Sequence, residues 1–132
     1  MKSKREVGSI GESVCCEYLE SIGFEIKKRN FLTRHGEIDI IAENDRYIVF
    51  AEVKLRSMNE NNLTRYGRPS VAVTKNKMKN IIYSARIYLG WGPITKSVRF
   101  DVLEVYSEEL PSGNTRYRVK HIPAAFTLDN VR

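Results

Sequence analysis

The stretch that decides the fold is GEIDIIAENDRYIVFAEVKLR, residues 36–56, in which two apolar runs flank a polar turn. Asn44, Asp45 and Arg46 have the composition of a turn, whereas the flanking runs are rich in the β-branched and aromatic residues that favour strands. The segment therefore predicts a β-hairpin.

Both strands of this hairpin carry charge within an apolar run. Alternate side chains of a strand share a face, which groups Glu37 with Asp39 and Glu52 with Lys54. With the turn centred between residues 45 and 46, Asp39 lies directly opposite Glu52, and Glu37 faces Lys54. Opposed carboxylates destabilise a sheet, because their Cβ atoms are about 4.5–5.5 Å apart. A cation such as Mg²⁺, which prefers carboxylate oxygens, water and phosphate, would remove this repulsion.

Asp39, Glu52 and Lys54 together provide the parts of metal-assisted phosphodiester hydrolysis, with Mg²⁺ or Mn²⁺ as the cofactor. Lys54 is placed to orient or activate an attacking water and to balance charge on the phosphate. The alternative is a solvated hairpin face cross-paired for solubility, because isolated E-x-K triplets are common. Asp39 at a compatible distance, in a basic chain, favours the catalytic interpretation.

The segments on either side of the hairpin predict a sheet flanked by helices. Residues 8–23 have helical periodicity and residues 24–31 resemble a strand. Thr74 begins a second helix that ends at Gly90, and residues 98–106 and 115–122 predict strands joined by a turn at 111–114. The order α-β-β-β-α-β-β predicts an α/β fold with a central mixed sheet. Residues 57–73 are polar and predict a long mobile loop of a kind that is often functional.

In the first helix, Glu12 falls at the edge of the apolar arc, from which it could reach a cleft beside the core. The alternative is a solvated first-turn acid favoured by the helix dipole. Cys16 falls on the polar half of the helical wheel. The apolar arc consists of Ile10, Val14, Cys15, Tyr18, Leu19 and Ile22.

The composition predicts one globular domain spanning residues 1–132. Lys and Arg total 22 against 16 Asp and Glu, giving a net charge of +6. This excess suits a phosphate-bearing partner such as nucleic acid, although many small basic domains bind no anion. Basic residues are dispersed along the chain, as in residues 27–29, 75–79 and 116–120, which suits a surface that follows a phosphate backbone.

Two further features concern the compartment. No apolar stretch approaches the roughly 18 residues of a membrane span, and no signal-peptide core follows the N-terminus, so we expect a cytoplasmic protein without membrane contact. Cys15 and Cys16 are adjacent, which leaves no ordinary loop-closing disulfide and predicts reduced, structural cysteines.

The pattern of Asp39 followed by Glu52-Val53-Lys54 resembles the PD-(D/E)xK nuclease superfamily. Nearly the whole chain also resembles the YraN-like family of uncharacterised bacterial proteins, usually described as endonuclease-like. The resemblance implies a restriction-endonuclease-like fold and a site similar to that of archaeal Holliday-junction resolvases, in which an acid on the first helix, here Glu12, completes the cluster. The matching segments are residues 8–19, 29–30, 36–39, 52–54, 99–102, 121–122 and 125–126.

One residue departs from the family pattern, and three others have competing explanations. Similar proteins tend to carry Lys followed by Gln on the second helix, whereas this chain has Lys77 and Met78, so the role of that helix is open. His35 could be a metal ligand or a base, although a loop histidine before a glycine is usually exposed. Asp101 and His121 match family positions, but a partnership with a neighbouring arginine and a strand-end position, respectively, explain them equally well.

These observations lead us to expect a metal-dependent endonuclease that hydrolyses phosphodiester bonds in DNA, including branched or single-stranded DNA. The expected catalytic residues are Glu12, Asp39, Glu52 and Lys54, of which the three acids hold the metal. The alternative is a non-catalytic nucleic-acid-binding protein that retains the fold; a structural subunit is least favoured. Resolvase-like relatives act as symmetric dimers, so a homodimer is also implied, although no segment identifies its surface. The expected nucleic-acid-binding residues are Arg34, Arg56, Arg65, Arg68, Lys75 and Lys77.

Overall fold

Five strands form one sheet in chain order, with one helix on each face. The computed structural model describes residues 4–57, 74–90 and 92–127. Of the loop predicted at 57–73, Ser57 ends a strand, and the other residues lie outside the described part of the chain. The predicted order α-β-β-β-α-β-β is confirmed. The elements are α1 (Lys4–Ser21), β1 (Glu25–Thr33), β2 (Gly36–Glu43), β3 (Tyr47–Ser57), α2 (Lys75–Leu89), β4 (Ser97–Glu109) and β5 (Thr115–Phe126).

The sheet is mixed, as predicted. Neighbouring strands run antiparallel except for β3 and β4, which are parallel. A parallel pair needs a crossover connection, and the segment between these strands contains α2. The mixed sheet with a helix on each face is the arrangement expected of a restriction-endonuclease-like fold.

Two apolar clusters, one on each face, hold the helices to the sheet. The α1 cluster contains Cys15, Cys16 and Leu19, and the α2 cluster contains Ile81, Ile82 and Ala85, each with residues of the strands. The assignment of Cys16 to a polar face was wrong: α1 contacts all five strands and therefore buries a wider arc. Ile22, assigned to the apolar arc, is 47% exposed because it follows the end of α1.

The two cysteines are free and buried, in agreement with a structural role. Burial raises the pKa of the Cys15 thiol to about 12, so it stays protonated at neutral pH. Neither helix in the described part of the chain is long and apolar enough to cross a bilayer.

The helix ends follow the sequence signals. Gly23, at φ 99°, allows the chain to turn after α1, and its N–H donates to the Glu20 carbonyl at 3.1 Å. The Thr74 hydroxyl accepts from the Lys77 N–H at the start of α2, as predicted. The N-terminal boundary of α1 is earlier than the expected Gly8, because the first turns precede the apolar periodicity.

Side-chain alternation reverses near the middle of β1 and β2, in addition to a register shift between Ile26 and Lys28 of β1. Ile38 packs in the α2 cluster and Ile40 in the α1 cluster, although residues two apart in a regular strand share a face. In β1, Asn30 has φ 52°, a left-handed conformation that Asn tolerates better than most residues, and the following Phe31 pairs with Ile38. The reversal lies at Asn30 and Asp39, and therefore changes the direction of the acidic residues of β2.

Asn30→Val should destabilise the protein by about 1–2 kcal/mol, because a β-branched residue is strained in the left-handed region. Asn30→Gly should have a much smaller effect. Urea unfolding of both variants would measure the difference, with Lys28→Val, an exposed position of the same strand with ordinary φ, as the control. Equal stability of the Val and Gly variants would contradict this account.

A buried ionic network ties β4 and β5 to α1. The fully buried Asp101 side chain accepts from Arg99 Nη2 at 2.8 Å and from the Ala124 N–H at 3.0 Å, and His121 Nε2 lies 2.6 Å away. His121 Nδ1 lies 2.9 Å from the Tyr18 hydroxyl of α1. Burial alone raises the pKa of Asp101, but the bonds to His121 and Arg99 outweigh it and lower that pKa below its ordinary value. The expected partnership of Asp101 with an arginine is present.

Candidate active site

The candidate site lies where β2 and β3 separate. Their backbones pair from Glu43–Ile48 to Ile40–Ala51, in the predicted register. The predicted direct opposition of Asp39 and Glu52 is wrong, because the pairing ends one residue earlier. Instead, the Val53 N–H donates to Asp39 Oδ2 at 2.8 Å, so a side chain replaces the backbone ladder at this point.

Three carboxylates from two elements converge beside this gap. Glu12 of α1 and Glu37 and Asp39 of β2 each offer an oxygen, and these atoms lie within 4.8 Å of one another. Glu12 thus stands beside Asp39, where the resemblance placed it. Glu37 was not assigned to the metal set, although its spacing of two residues from Asp39 was a visible signal.

Close packing and an arginine hold Glu12 in position. A Cβ added at the buried Gly11 would lie 2.3 Å from Leu55 Cδ2, so glycine allows α1 to approach β3 here. Arg29 Nη2 lies 3.6 Å from Glu12 Oε1 and donates to the Ser9 carbonyl at 3.3 Å. Arg29, which carried no assigned role, therefore links β1 to the acidic residue of α1.

Glu52 is buried and paired with two lysines. Its Oε1 lies 2.5 Å from Lys77 Nζ of α2 and 3.5 Å from Lys54 Nζ. Glu52 was expected to hold the metal with Asp39 and Glu12, but among the described residues the three carboxylates whose oxygens cluster are Glu12, Glu37 and Asp39. Lys77 brings α2 into the site, while Met78 packs against the α2 cluster. Burial lowers the pKa of Lys77, but the bond to Glu52 outweighs it and raises that pKa.

Asp39 carries the electrostatic strain of the site. Burial, followed by repulsion from Glu52, raises its pKa from 3.8 to about 7, and Glu12 and Glu37 add to the rise. The Val53 N–H opposes the shift but does not cancel it. At neutral pH the charged form of Asp39 is therefore destabilised by its surroundings, and a bound cation would stabilise it.

The residues expected to bind nucleic acid differ in their surroundings. Arg34 and Lys75 are exposed. Arg56 Nε lies 3.6 Å from the buried Glu104 carboxylate, and Lys77 is held by Glu52. Arg65 and Arg68 lie outside the described residues.

His35 lies against α2 rather than in the acidic cluster. The His35 ring centroid is 5.1 Å from that of Tyr83, and the His35 backbone N–H donates to Thr33 Oγ1 at 3.0 Å. The Thr33 hydroxyl also lies 2.7 Å from Ser84 Oγ. These contacts indicate that His35 helps to seat α2 on the sheet edge.

Comparison with known sequences assigns the chain to a family. The sequence model of the uncharacterised protein family UPF0102 matches residues 11–105. This chain belongs to that family. A UPF0102 protein of Clostridium botulinum strain Hall is 38% identical over 130 residues, which cover 94% of this chain and 96% of the relative. A UPF0102 protein of Syntrophomonas wolfei is 39% identical over 92% of this chain and 98% of the relative. A UPF0102 protein of Caldanaerobacter subterraneus is 38% identical over 94% of this chain and 97% of the relative. The expected membership of the YraN-like family is confirmed.

Asp39→Asn should stabilise the metal-free protein increasingly as pH rises from about 4 to above 7. In the parent the carboxyl titrates near 3.8 when unfolded and near 7 when folded, so the unfolded chain releases its proton first and stability falls over this interval. Asn removes that loss and can still accept from the Val53 N–H. Melting curves of both proteins in EDTA would measure this; a pH-independent difference would contradict it.

Proposed function

We propose that this UPF0102 protein is a metal-dependent endonuclease that hydrolyses phosphodiester bonds in DNA. The single observation that carries the proposal is the convergence of Glu12, Glu37 and Asp39 beside a lysine-bearing strand. The resemblance of Asp39 and Glu52-Val53-Lys54 to the PD-(D/E)xK signature supports the same reaction class.

The residues present fit a hard divalent cation. Mg²⁺ binds oxygen at about 2.0–2.1 Å, so two oxygens on opposite sides of one ion lie about 4.2 Å apart. The oxygens of Glu12, Glu37 and Asp39 lie within 4.8 Å of one another, close to this requirement. Burial, and after it repulsion from neighbouring carboxylates, raises the pKa of Asp39, and a bound cation would stabilise its charged form. Glu12, Glu37 and Asp39 would therefore hold Mg²⁺ or Mn²⁺, which when bound supplies charge stabilisation and an activated water.

Two lysines, Lys54 and Lys77, bring positive charge to the candidate site. Lys54 Nζ is anchored 3.5 Å from Glu52 and is 17% exposed at its side chain, so it can reach a phosphate while its ammonium group stays oriented. It would stabilise charge developing on the phosphate oxygens and orient the attacking water. Lys77 Nζ lies 2.5 Å from the same Glu52 oxygen, Oε1, and also neutralises that carboxylate. Glu52 would thus act as the residue that orients both lysines.

The decisive experiment is a cleavage panel with Mg²⁺ and with Mn²⁺. Single-stranded, duplex, flapped and four-way DNA, with RNA counterparts, would be incubated with the parent protein and with Asp39→Asn. We expect metal-dependent cleavage of at least one substrate by the parent and none by the variant. Binding without cleavage of any substrate would overturn the enzymatic proposal and favour the non-catalytic nucleic-acid-binding alternative.

Lys54→Ala should reduce cleavage roughly 100-fold or more, the lower range for a group that assists proton transfer. The rise in melting temperature caused by Mg²⁺ should persist in this variant, because the three clustered acids remain, and should shrink in Asp39→Asn. Lys79→Ala, which removes an exposed lysine of α2, is the control. Normal cleavage by the Lys54 variant would show that its assigned role is wrong.

A further inference from the structure

The sheet face that carries Lys54 continues across β4 to the edge strand β5. Strand register places Lys54, Glu104 and Lys120 in one row across the three strands, and Arg56, Tyr106 and Arg118 in the next row. In the preceding row, Val102 and Ile122 pack in the α2 cluster, which shows that these rows share the face on which α2 lies.

The apolar cluster gives way to charge at this boundary. Lys120 and Arg118 are exposed, whereas the intervening Glu104 and Tyr106 are buried. Adjacent strands lie about 4.8 Å apart, so about 10 Å separates the backbones of β3 and β5 in each row. The two rows therefore form a patch that begins at the candidate active site and ends at the sheet edge.

A buried carboxylate organises the patch. The Glu104 side chain is 0% exposed, and its Oε1 accepts from the Tyr106 hydroxyl at 3.1 Å. Its Oε2 lies 3.6 Å from Arg56 Nε and has no hydrogen-bond partner among the described residues. A carboxylate so far from water requires nearby positive charge. Arg56 provides it, and its guanidinium is thereby held against the sheet.

The patch carries more positive than negative charge. Its two rows contain four cations and one carboxylate, and Glu52 of the preceding row pairs with Lys54, so two carboxylates offset only part of the charge. In the row beyond, Arg116 is paired with Glu108, which offsets that arginine and marks the end of the patch. The only aromatic side chain in the two rows, Tyr106, is 7% exposed and cannot stack on a base.

We propose that Lys54, Arg56, Arg118 and Lys120 form a phosphate-binding surface that guides a nucleic-acid strand from Lys54 across β4 to β5. This inference rests on the proposed function and specifies its substrate contacts. Four phosphates of one strand, separated by three rises of 3.4 Å, span about 10 Å, which matches the width of the surface. The surface binds the backbone without reading the bases, because it consists of ammonium and guanidinium groups.

The test is the salt dependence of binding by Arg118→Gln/Lys120→Gln. Fluorescence anisotropy with a labelled duplex, in EDTA to prevent cleavage, would be measured from 50 to 200 mM salt. Each lost phosphate contact lowers the slope of log affinity against log salt by about 0.9, so the slope should fall by about 1.8. The ratio of parent to variant affinity should consequently decrease about tenfold over this range.

The matched control is Lys28→Gln/Arg46→Gln, which removes the same net charge from exposed positions of β1 and the β2–β3 turn. Its slope should equal that of the parent. An unchanged slope in the β5 variant, or an equal reduction in the control, would overturn the surface while leaving the proposed function standing. Absence of binding by the parent to duplex, single-stranded DNA and RNA would overturn both. The single variants Arg118→Gln and Lys120→Gln, each expected to lower the slope by about 0.9, provide an independent check.

Discussion

The hydrogen bond from the Val53 N–H to Asp39 is the contact on which the candidate site depends. It lies where the β2–β3 ladder stops, and it satisfies a backbone donor that would otherwise lose its partner. A carboxylate therefore occupies the position of a strand neighbour. The same bond fixes Asp39 close to the strand that carries Glu52 and Lys54, so acids from β2 and lysines from β3 and α2 meet across one gap.

The sequence predicted the fold well because its main elements have local signals. The turn at residues 44–46 identified the hairpin, and the Thr74 cap identified the start of α2. The glycines after both helices identified the ends of α1 and α2. Cys16 was misplaced because a helical wheel assumes one buried stripe, whereas α1 contacts every strand of the sheet. The wheel contains no information about how wide the opposing surface is.

The sequence and the resemblance identified Asp39, Glu12 and Lys54, but they did not show that Glu37, Arg29 and Lys77 lie beside these residues. The expected pairing of Asp39 with Glu52 assumed regular alternation, and the left-handed Asn30 with the reversal beside it violates that assumption. Lys77 reaches Glu52 from a helix that follows residues 58–73, and strand periodicity cannot predict such a contact. Glu104 illustrates the same limit, because its burial follows from the parallel pairing of β3 with β4.

The parallel seam between β3 and β4 also bears on the order in which the chain folds. The strands β1 to β3 form one antiparallel meander and β4 with β5 form another hairpin, both assembled from neighbours in sequence. The pairing of β3 with β4 closes the long connection between residues 57 and 97. The entropy cost of closing that loop makes this pairing slower to form than either hairpin. Contact order therefore predicts that the acids of β2 and the cations of β5 belong to separate folding units, which come together only when β3 pairs with β4.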